Sequence, residues 1–413
     1  MAAITIRPLR EEEFHAAVGV ACAAFGEQAT GEDEEAYRQA FELERSLCAF
    51  EADTIVGMSA VLTLELTLPG GVAAPAGGLT WAAVLPTHRR RGILRQLMAA
   101  QLADMARRGE LVSTLLASEG NIYGRFGYGP ATSAISFSVE RARAAFARPV
   151  CARGRIVLLT GLEAAAELPA IYERLQRVQP GTVSRPPGWW KQYLHDPETE
   201  REGGGEMLHA KHETTRGEAD GYVTYRIKQE WQGMASRSTL LVVELLAADP
   251  EVYAALWDYV LNTDLIHTIS FSRGRVDEPL RWLLADSRAF TVGALTDYLW
   301  VRLLDVPGAL AARAYGAQGE MVLEVNDTFP TPSTTRVALR VRKIGSQDVE
   351  CTPTTMPPDL ALGLGSLGAT YLGGVSFATL AAAGLVRELR TGSAERADAM
   401  FSNGTAPYCV TMF

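Results

Sequence analysis

Hydrophobic and polar residues along the first part of the chain follow a mixed pattern of strands and helices. The segment "ITIRPL" alternates like a first strand, and "REEEFHAAVGVACAAF" has the spacing of a helix with acidic residues in its first turn. The runs "SLCAFEAD" and "TIVGMSAVLTLELTL" meet at Asp53 and predict a hairpin. Residues 69–78, rich in Gly, Pro and Ala, predict a loop before the strand "LTWAAVLP".

The next segment, "THRRRGILRQLMAAQLADMARRG", predicts a helix, with apolar residues at helical spacing and Gly109 as its stop. "LVSTLLAS" reads as another strand. Mixed elements around a strand-loop-helix unit predict an α+β or α/β first domain.

The loop of that unit carries the first chemical signal. Gly92 lets the backbone turn tightly where the helix begins, and Arg89, Arg90 and Arg91 lie beside it. Unpaired N–H groups at a helix N-terminus, next to arginines, suit a pyrophosphate. A solvated basic loop that merely caps a helix is the alternative.

A second signal is the segment "SEGNIYGRFGYGPA" at residues 118–131. Tyr123 could donate its phenolic proton to a leaving group, or it could simply pack and hydrogen-bond in the interior.

The rest of the chain repeats strand and helix patterns. "YVTYRIKQEW", "STLLVVELLAAD", the helix "PEVYAALWDYVLNT" and "HTISFSRG" repeat the order of the first domain without its basic loop, so we expect no cofactor site there. Farther on, "MVLEVNDTF" and "STTRVALRVRK" predict strands, while "GSLGATYLGG", "SFATLAAAGLVREL" and "SAERADAMFS" predict helices. The chain ends on "YCVTMF", which reads as a buried strand and places an α-carboxylate on Phe413.

Composition narrows the class of protein. The 413 residues are 47% hydrophobic and 21% charged, as in a globular protein of several domains. No segment has the roughly 18 to 20 apolar residues of a membrane span, and the start lacks a signal-peptide pattern, so we expect a cytoplasmic protein. The five cysteines are scattered singly, which argues against a metal site. The net charge of −9 argues against nucleic acid as a partner and favours cationic ligands.

The basic loop before the helix and the segment that contains Tyr123 together resemble the GCN5-related N-acetyltransferase (GNAT) superfamily. "V-x-P-x-x-R-x-R-G-I" at residues 84–93 is similar to its acetyl-CoA-binding motif, and "Y-x-x-F-G-Y" at residues 123–128 to its tyrosine segment. The whole chain resembles the enhanced intracellular survival (Eis) family, a three-domain branch of that superfamily. The resemblance includes "ASEGNIYGRFGYGPAT", "RPPGWWKQYLHDPE", "WLLADSRAF", "LWVRLLDVPGAL", "GSLGATYLGGVSF" and the terminal phenylalanine.

This resemblance implies an α+β fold of three domains. Residues 1–145 would form a GNAT domain with the acetyl-CoA site, residues 146–304 a second GNAT-like domain without one, and residues 305–413 a sterol-carrier-protein-like domain. Family members are hexamers, so the resemblance also implies a homo-oligomer.

The resemblance further assigns an acetyl-CoA site. Acetyl-CoA would splay the strand at residues 79–84, where Val84 N–H would polarise the thioester carbonyl. The residues expected to bind it are Ala82, Val84, Arg89, Arg90, Arg91, Gly92, Ile93, Leu94, Arg95, Ser118 and Asn121. Leu94 departs from the glycine or alanine common in the superfamily, but main-chain donors do not require that side chain.

The reaction implied is amine acetylation. Tyr123 would be the general acid and the Phe413 carboxylate the general base, although the residues alone favour reading "YCVTMF" as an edge strand. Glu27, Trp81 and Met412 are expected at the acceptor site, with Glu27 opening a run of carboxylates in a loop after the first helix; a solvated face is the alternative. The expected acceptor is a small cationic amine with several amino groups, such as an aminoglycoside. Lysine or peptide acetylation, a lipid or sterol carrier with an inactive acyltransferase body, and an acetyl-CoA sensor are the other hypotheses.

Overall fold

The computed structural model describes residues 3–150, 153–201 and 203–413. Backbone contacts divide the chain into two compact units. Unit 1 comprises Met1–Thr132, Pro180–Trp189 and Asp297–Phe413, and unit 2 comprises Ser133–Gln179 and Trp190–Thr296.

The first part of unit 1 contains the elements expected of an α+β domain. In chain order these are β1 (Ile4–Pro8), α1 (Phe14–Phe25), α2 (Gly31–Ala40), β2 (Leu47–Glu51), β3 (Thr54–Leu68), β4 (Val72–Val84), α3 (Ile93–Arg107), β5 (Val112–Leu116) and β6 (Gly129–Pro130).

Unit 2 is built around one sheet. In chain order, residues 133–297 contain β7 (Ser133–Glu140), β8 (Arg155–Leu159), α4 (Gly161–Gln176), α5 (Pro187–His195), β9 (Leu208–Glu213), β10 (Ala219–Lys228), β11 (Trp231–Gln232), β12 (Ala235–Ser236), β13 (Ser238–Ala247), α6 (Pro250–Leu261), β14 (Ile266–Gly274), α7 (Leu280–Leu283) and β15 (Phe290–Asp297). The sheet runs β15-β7-β14-β13-β10-β9-β8, with β13 and β14 parallel. Its core surrounds the fully buried Trp257 of α6.

The last part of unit 1 adds a second sheet to that unit. Its elements are β16 (Leu299–Leu303), α8 (Val306–Ala312), β17 (Gly319–Asp327), β18 (Ser333–Val341), β19 (Val349–Pro353), β20 (Leu360–Gly363), α9 (Leu364–Thr370), α10 (Phe377–Ala382), β21 (Val386–Glu388) and α11 (Ser393–Phe401). The sheet runs β19-β18-β17-β20-β21. The prediction of one helix over "SFATLAAAGLVREL" is wrong in its second half, because Gly384 adopts a left-handed φ of 74° and the chain then pairs as β21.

The first sheet of unit 1 runs β1-β2-β3-β4-β5-β16-β6. β16 pairs antiparallel with β5 over its whole length, although residues 133–296 separate it from the other strands in sequence. Sheet membership therefore changes at residues 133 and 299, while the domain boundaries after residues 145 and 304 stay a prediction.

The predicted loop over residues 69–78 is confirmed only at residues 69–71, which form a turn; it is wrong from Val72 onward, where β4 begins and pairs with β3. The small residues at the start of β4 allow neighbouring side chains to pack closely against the strand. A Cβ atom on Gly77 would lie 2.4 Å from Met105 Sδ on α3, and one on Gly78 would lie 2.4 Å from Leu64 Cδ1 on the opposite face. Glycine thus allows α3 and β3 side chains to approach the strand from both faces.

Candidate active site

The feature that defines the site is the separation of β4 from β5. These parallel strands pair only from Ala76 with Val112 to Gly78 with Thr114. β4 then continues to Val84 along β3, while β5 continues along β16. A wedge therefore opens between the strands at Leu79, on the stretch where the family resemblance implies that Ala82 and Val84 bind acetyl-CoA.

β4 contains a β-bulge in the stretch that borders this wedge. Thr80 pairs with Ala60 and Ala83 with Met58, so Trp81 and Ala82 together face one residue of β3. Trp81 adopts a left-handed φ of 51°. Its ring is half-buried and meets Tyr37 and Phe41 edge-on, with centroids 5.1 and 4.8 Å apart. Trp81 is thus part of an aromatic cluster with residues on and just after α2.

The loop before α3 turns tightly onto the helix. Arg90 and Gly92 both adopt left-handed φ values, 62° and 78°, and α3 begins directly after them at the buried Ile93. The first N–H groups of a helix have no intrahelical partner. Leu94 is partly buried and packs against the cluster that contains Met98, so its side chain contributes to the hydrophobic core.

The arginine side chains of this loop are largely engaged with protein groups. Arg91 pairs with Glu51 at 2.5 Å, and His88 Nε2 lies 3.0 Å from the same carboxylate. Hydrogen bonds from Arg91 and His88 lower the pKa of Glu51 to about 2. Arg89 donates to the Ala24 carbonyl at 3.0 Å.

Arg95, one turn into α3, contacts the C-terminal part of unit 1. Its guanidinium lies 4.8 Å from the centroid of the Phe329 ring and donates to the Pro330 carbonyl at 3.2 Å. The exposed Arg90 is the member of this set that faces solvent without a protein contact among the described residues.

Tyr123 opens a short 3₁₀ turn, Tyr123–Phe126, which Gly127 ends with a φ of 78°. The side chain is 6% exposed and lies in one cluster with Leu79 of β4 and Leu115 of β5, the residues at which the wedge opens. Burial raises the pKa of Tyr123, and a hydrogen bond with Ser118 acts in the opposite direction. Tyr123 is therefore a protonated phenol at neutral pH.

Ser118 and Asn121 are both exposed, in the loop that joins β5 to the turn. Tyr128, which follows the turn, is fully buried, and its hydroxyl lies 2.7 Å from Ser113 Oγ on β5. This bond ties the tyrosine segment to the strand that borders the wedge.

The chain's last residues are buried as predicted, but the predicted strand is wrong. Residues 406–413 join none of the described sheets. Tyr408 N–H donates to the Pro180 carbonyl at 2.8 Å, and side chains provide further contacts. Arg185 Nε donates to Thr411 Oγ1 at 2.9 Å, and Trp189 Nε1 donates to the Met412 carbonyl at 2.7 Å.

Phe413 lies against the strand where the wedge begins. A Cβ atom on Gly78, the last β4 residue paired with β5, would lie 3.1 Å from Phe413 Cε2. Gly78 faces away from α3, whereas the neighbouring Gly77 faces α3. Phe413 is half-buried, and the Met412 side chain is 60% exposed. Phe413 therefore lies on the face of the sheet opposite α3.

Sequence reasoning missed the segment that holds this tail. Residues 181–184 run along β3, with Gly181 donating to Thr67 and Ser184 to Glu65 at 2.8 Å each. Arg185 then stacks 4.3 Å from the centroid of Trp189, so both side chains reach the tail from one support. The only sequence signal was the run "RPPGWW", whose aromatic residues and fixed prolines suit a rigid support.

Most of the acidic run after α1 lies in a helix, so the prediction of a loop is wrong from Gly31 onward. Thr30 and Asp33 form a reciprocal capping box that starts α2 at Gly31. Glu34 pairs with His15 at 2.8 Å. Glu27 itself is exposed in the turn between α1 and α2 and stays a candidate for the acceptor site.

Comparison with known proteins identifies these domains. The model of an acetyltransferase (GNAT) domain family matches residues 5–131, a second GNAT domain model matches residues 181–303, and a sterol carrier protein domain model matches residues 306–410. An uncharacterised N-acetyltransferase of Streptomyces avermitilis is 36% identical over 98% of this chain and 98% of its own. The N-acetyltransferase Eis of Mycobacterium tuberculosis is 37% identical over 84% of this chain and 83% of its own. The chain belongs to the Eis family of N-acetyltransferases.

Solved structures agree with this assignment. The crystal structure of Eis1 from Mycobacterium abscessus, 37% identical, superposes with a TM-score of 0.88 over 99% of this chain and 100% of its own. A GCN5-related N-acetyltransferase from Anabaena variabilis shares the fold at 19% identity, with a TM-score of 0.83 and full coverage of both chains. The Eis-family chain is therefore an N-acetyltransferase with two GNAT domains and a sterol-carrier-protein-like domain, which confirms the predicted family, fold class and enzyme class.

Within the described ranges, no helix is long and apolar enough to cross a membrane. Nor do the His, Cys, Asp and Glu side chains of those ranges form a group of three or more that could hold a metal ion.

Proposed function

We propose that this Eis-family enzyme transfers the acetyl group of acetyl-CoA to primary amines of cationic acceptors with several amino groups, such as aminoglycosides. The observation that carries the proposal is the meeting of two chain segments at the wedge. Tyr123 packs with Leu79 and Leu115 where the strands part, and the Phe413 ring lies against Gly78 one residue earlier.

The wedge and the α3 loop support acetyl-CoA as the acetyl donor. Among the described residues, β4 has no strand partner on its β5 side beyond Gly78, so we expect backbone groups of Ala82 and Val84 to be available to an extended ligand. The backbone around Gly92, Ile93 and Leu94 suits a pyrophosphate at the α3 N-terminus. Since Arg91 is paired with Glu51, we expect main-chain groups and Arg90 to carry more of this binding than Arg91.

The proposed chemistry assigns one proton transfer to each of two residues. The carboxylate of Phe413 accepts a proton from the acceptor ammonium, which frees the nitrogen lone pair for attack on the thioester carbonyl carbon. Val84 N–H stabilises the oxyanion that develops. As the carbon–sulfur bond breaks, Tyr123 donates its phenolic proton to the departing thiolate. The nitrogen, which became positively charged on attack, loses its second proton to solvent, and solvent returns a proton to Tyr123. The products are the acetamide and free CoA.

The placement of Phe413 and Tyr123 supports direct transfer. Phe413 lies on the face opposite α3, whereas Tyr123 lies in the cluster that also contains α3 residues Met98 and Met105. Base and acid would thus approach the reacting carbon from opposite faces of the sheet, so that the amine and the thiolate are each served by a separate group.

The acceptor class rests on charge and aromatic surface. Trp81, the exposed Glu27, the tail residue Met412 and a net charge of −9 favour a cationic, partly apolar acceptor. A lysine side chain shares this chemistry and is the alternative acceptor.

Lipid carriage by the C-terminal domain finds less support. Arg313 is fully buried inside this domain, where it donates to the carbonyls of Ala314 at 3.0 Å, Phe401 at 2.7 Å and Tyr371, and its guanidinium stacks on Tyr315 and Phe401. An interior filled in this way favours a structural role for the domain.

Release of the CoA thiol from acetyl-CoA tests the proposal. The purified protein is assayed against aminoglycosides, polyamines and lysine peptides, with Tyr123→Phe as the matched control. Release that depends on the multi-amine sugars supports it. Release only with lysine peptides replaces the proposed acceptor, and release with none of them, despite measurable acetyl-CoA binding, contradicts it.

A further inference from the structure

The turn that carries Tyr123 is held by a residue that the proposed chemistry does not use. Arg302, on β16, is 5% exposed. Its Nη1 donates to the Phe126 carbonyl at 2.6 Å, at the end of the Tyr123–Phe126 turn. The C-terminal end of the turn is thus fixed by a charge-assisted bond.

The same guanidinium is fixed from its other side by the loop after β17. Arg302 pairs with Asp327 through both terminal nitrogens, at 3.2 and 2.6 Å, and Nη2 also donates to the Phe329 carbonyl at 3.0 Å. A planar, bidentate pair of this kind holds the guanidinium in one orientation, which a lysine cannot reproduce.

Arg302 lies close to the residue that ends the turn. A Cβ atom on Gly127, the residue that ends the turn, would lie 2.0 Å from Arg302 Nη1. Phe126 packs edge-on against Phe329, with centroids 4.8 Å apart. The turn and the loop after β17 therefore both pack against this side chain.

Helix α9 braces the chain just beyond the turn in the same way. A Cβ atom on Gly129 would lie 1.8 Å from the Gly365 carbonyl oxygen, and one on Gly368 would lie 2.2 Å from the Val301 carbonyl oxygen. Glycines on both sides allow the backbones to touch. The segments "GRFGYG" and "GSLGAT", which carried the family resemblance separately, thus fit against each other.

We propose that Arg302 is a positioning residue for the reaction, which fixes the Tyr123 turn against the C-terminal domain so that the Tyr123 hydroxyl is aimed at the wedge between β4 and β5. The inference rests on the proposed role of Tyr123 as general acid. It gives the sterol-carrier-protein-like domain a second contribution to the site, independent of the Phe413 carboxylate.

A kinetic cycle tests this role. Arg302→Lys keeps the charge but loses the bidentate geometry, and a small displacement of a catalytic group costs about tenfold to a hundredfold in rate. We expect kcat to fall by that factor, with the KM for acetyl-CoA unchanged. In the Tyr123→Phe background the same substitution should change kcat by less than about threefold, because the group it positions is already absent.

Two further variants complete the design. Arg340→Lys is the matched control, since Arg340 forms an exposed pair with Glu320 at 2.6 Å in the same domain, and its kcat should equal that of the wild type. Asp327→Asn leaves the hydrogen bond from Arg302 to the Phe126 carbonyl in place but weakens the ion pair that orients Arg302. We therefore expect a smaller fall in kcat. This variant tests the inference if Arg302→Lys does not fold.

The outcomes separate the inference from the proposed function. Equal losses from Arg302→Lys in both backgrounds, or no loss in the wild-type background, overturn the positioning role while Tyr123 keeps its own. A Tyr123→Phe enzyme with full kcat overturns the acid assignment and, with it, this inference.

Discussion

The sharpest test of the proposed mechanism is to move the carboxylate of Phe413 while leaving the fold intact. Appending Gly-Ser-Gly turns this carboxylate into an amide and carries the new terminal charge about 10 Å away, at roughly 3.3 Å per residue. A general base must lie within about 3 Å of the proton that it removes, or reach it through one water. Because such a base contributes about 10² to 10⁴ in rate, we expect kcat to fall at least about 100-fold.

The structure predicts a small effect of this extension on stability. The buried stretch of the tail ends at Thr411, whereas the Met412 side chain is 60% exposed and Phe413 is half-buried. The added residues therefore displace no core group, and we expect less than about 1 kcal/mol of destabilisation, or a shift in Tm of about 2 °C or less for a chain of this size. The affinity for acetyl-CoA should not change.

A chain ending at Met412 is the complementary variant. Its new carboxylate would lie at the carbonyl bound by Trp189 Nε1, about 3.5 Å back along the chain. This variant should also lose activity, and it should lose some stability because the Phe413 ring no longer packs against Gly78. An extended enzyme that keeps more than about one-tenth of the wild-type kcat would show that the carboxylate of Phe413 is not the base.

Three further predictions concern other residues. Tyr123→Phe should lower kcat about 100-fold or more at an unchanged acetyl-CoA affinity. Because the pKa of Tyr123 is raised above 10, the ratio of wild-type to mutant kcat should stay constant from pH 7 to 9. A ratio that falls toward 1 in that range contradicts the assignment of Tyr123 as the acid. The added Cβ of Gly92→Ala would meet no atom within 4 Å, but the alanine must adopt a φ of 78°. We expect the free energy of unfolding, followed by thermal unfolding, to fall by about 1 kcal/mol, and the KM for acetyl-CoA to rise at constant kcat. An unchanged KM would argue against pyrophosphate binding at this loop. Burial raises the pKa of Glu278 from 4.5 to about 7, so its contribution to stability is present below pH 4.5 and lost as pH rises through 7. Glu278→Gln should therefore stabilise the protein by about 2 to 3 kcal/mol more at pH 8 than at pH 5 in urea unfolding, and a pH-independent difference would contradict the burial of its charge.

Local patterns predicted most elements of the fold correctly, and the errors have common physical causes. α3 and the β2–β3 hairpin follow from apolar spacing and turn residues. Residues 69–78 misled because the Gly, Ala and Pro of a loop are also the residues that a strand needs where Met105 and Leu64 approach it closely. α2 was missed because an acidic run looks solvated unless the capping role of Asp33 toward Thr30 is recognised.

The residues of the candidate site likewise divide into those that a local sequence pattern predicts and those that it does not. Gly92 and Tyr123 could be proposed from the sequence because their motifs are short and local. Trp189, Arg185 and Arg302 were missed because each acts on residues more than a hundred positions away, through single hydrogen bonds to the tail or to Phe126. No periodicity in the sequence records such a contact, so a structure was needed to find it.

The placement of β16 has a consequence for the order in which the protein is made. β5 gains its β16 partner only after the chain has been synthesised beyond Leu303, so a nascent chain that stops at Thr132 presents the edge of Val112–Leu116 unpaired. Such an edge is a template for pairing with other chains. We expect a fragment of residues 1–132 to aggregate, and addition of a peptide spanning β16 to keep it in solution. Until that strand arrives, β5, one of the two strands that border the wedge, is paired on one edge only.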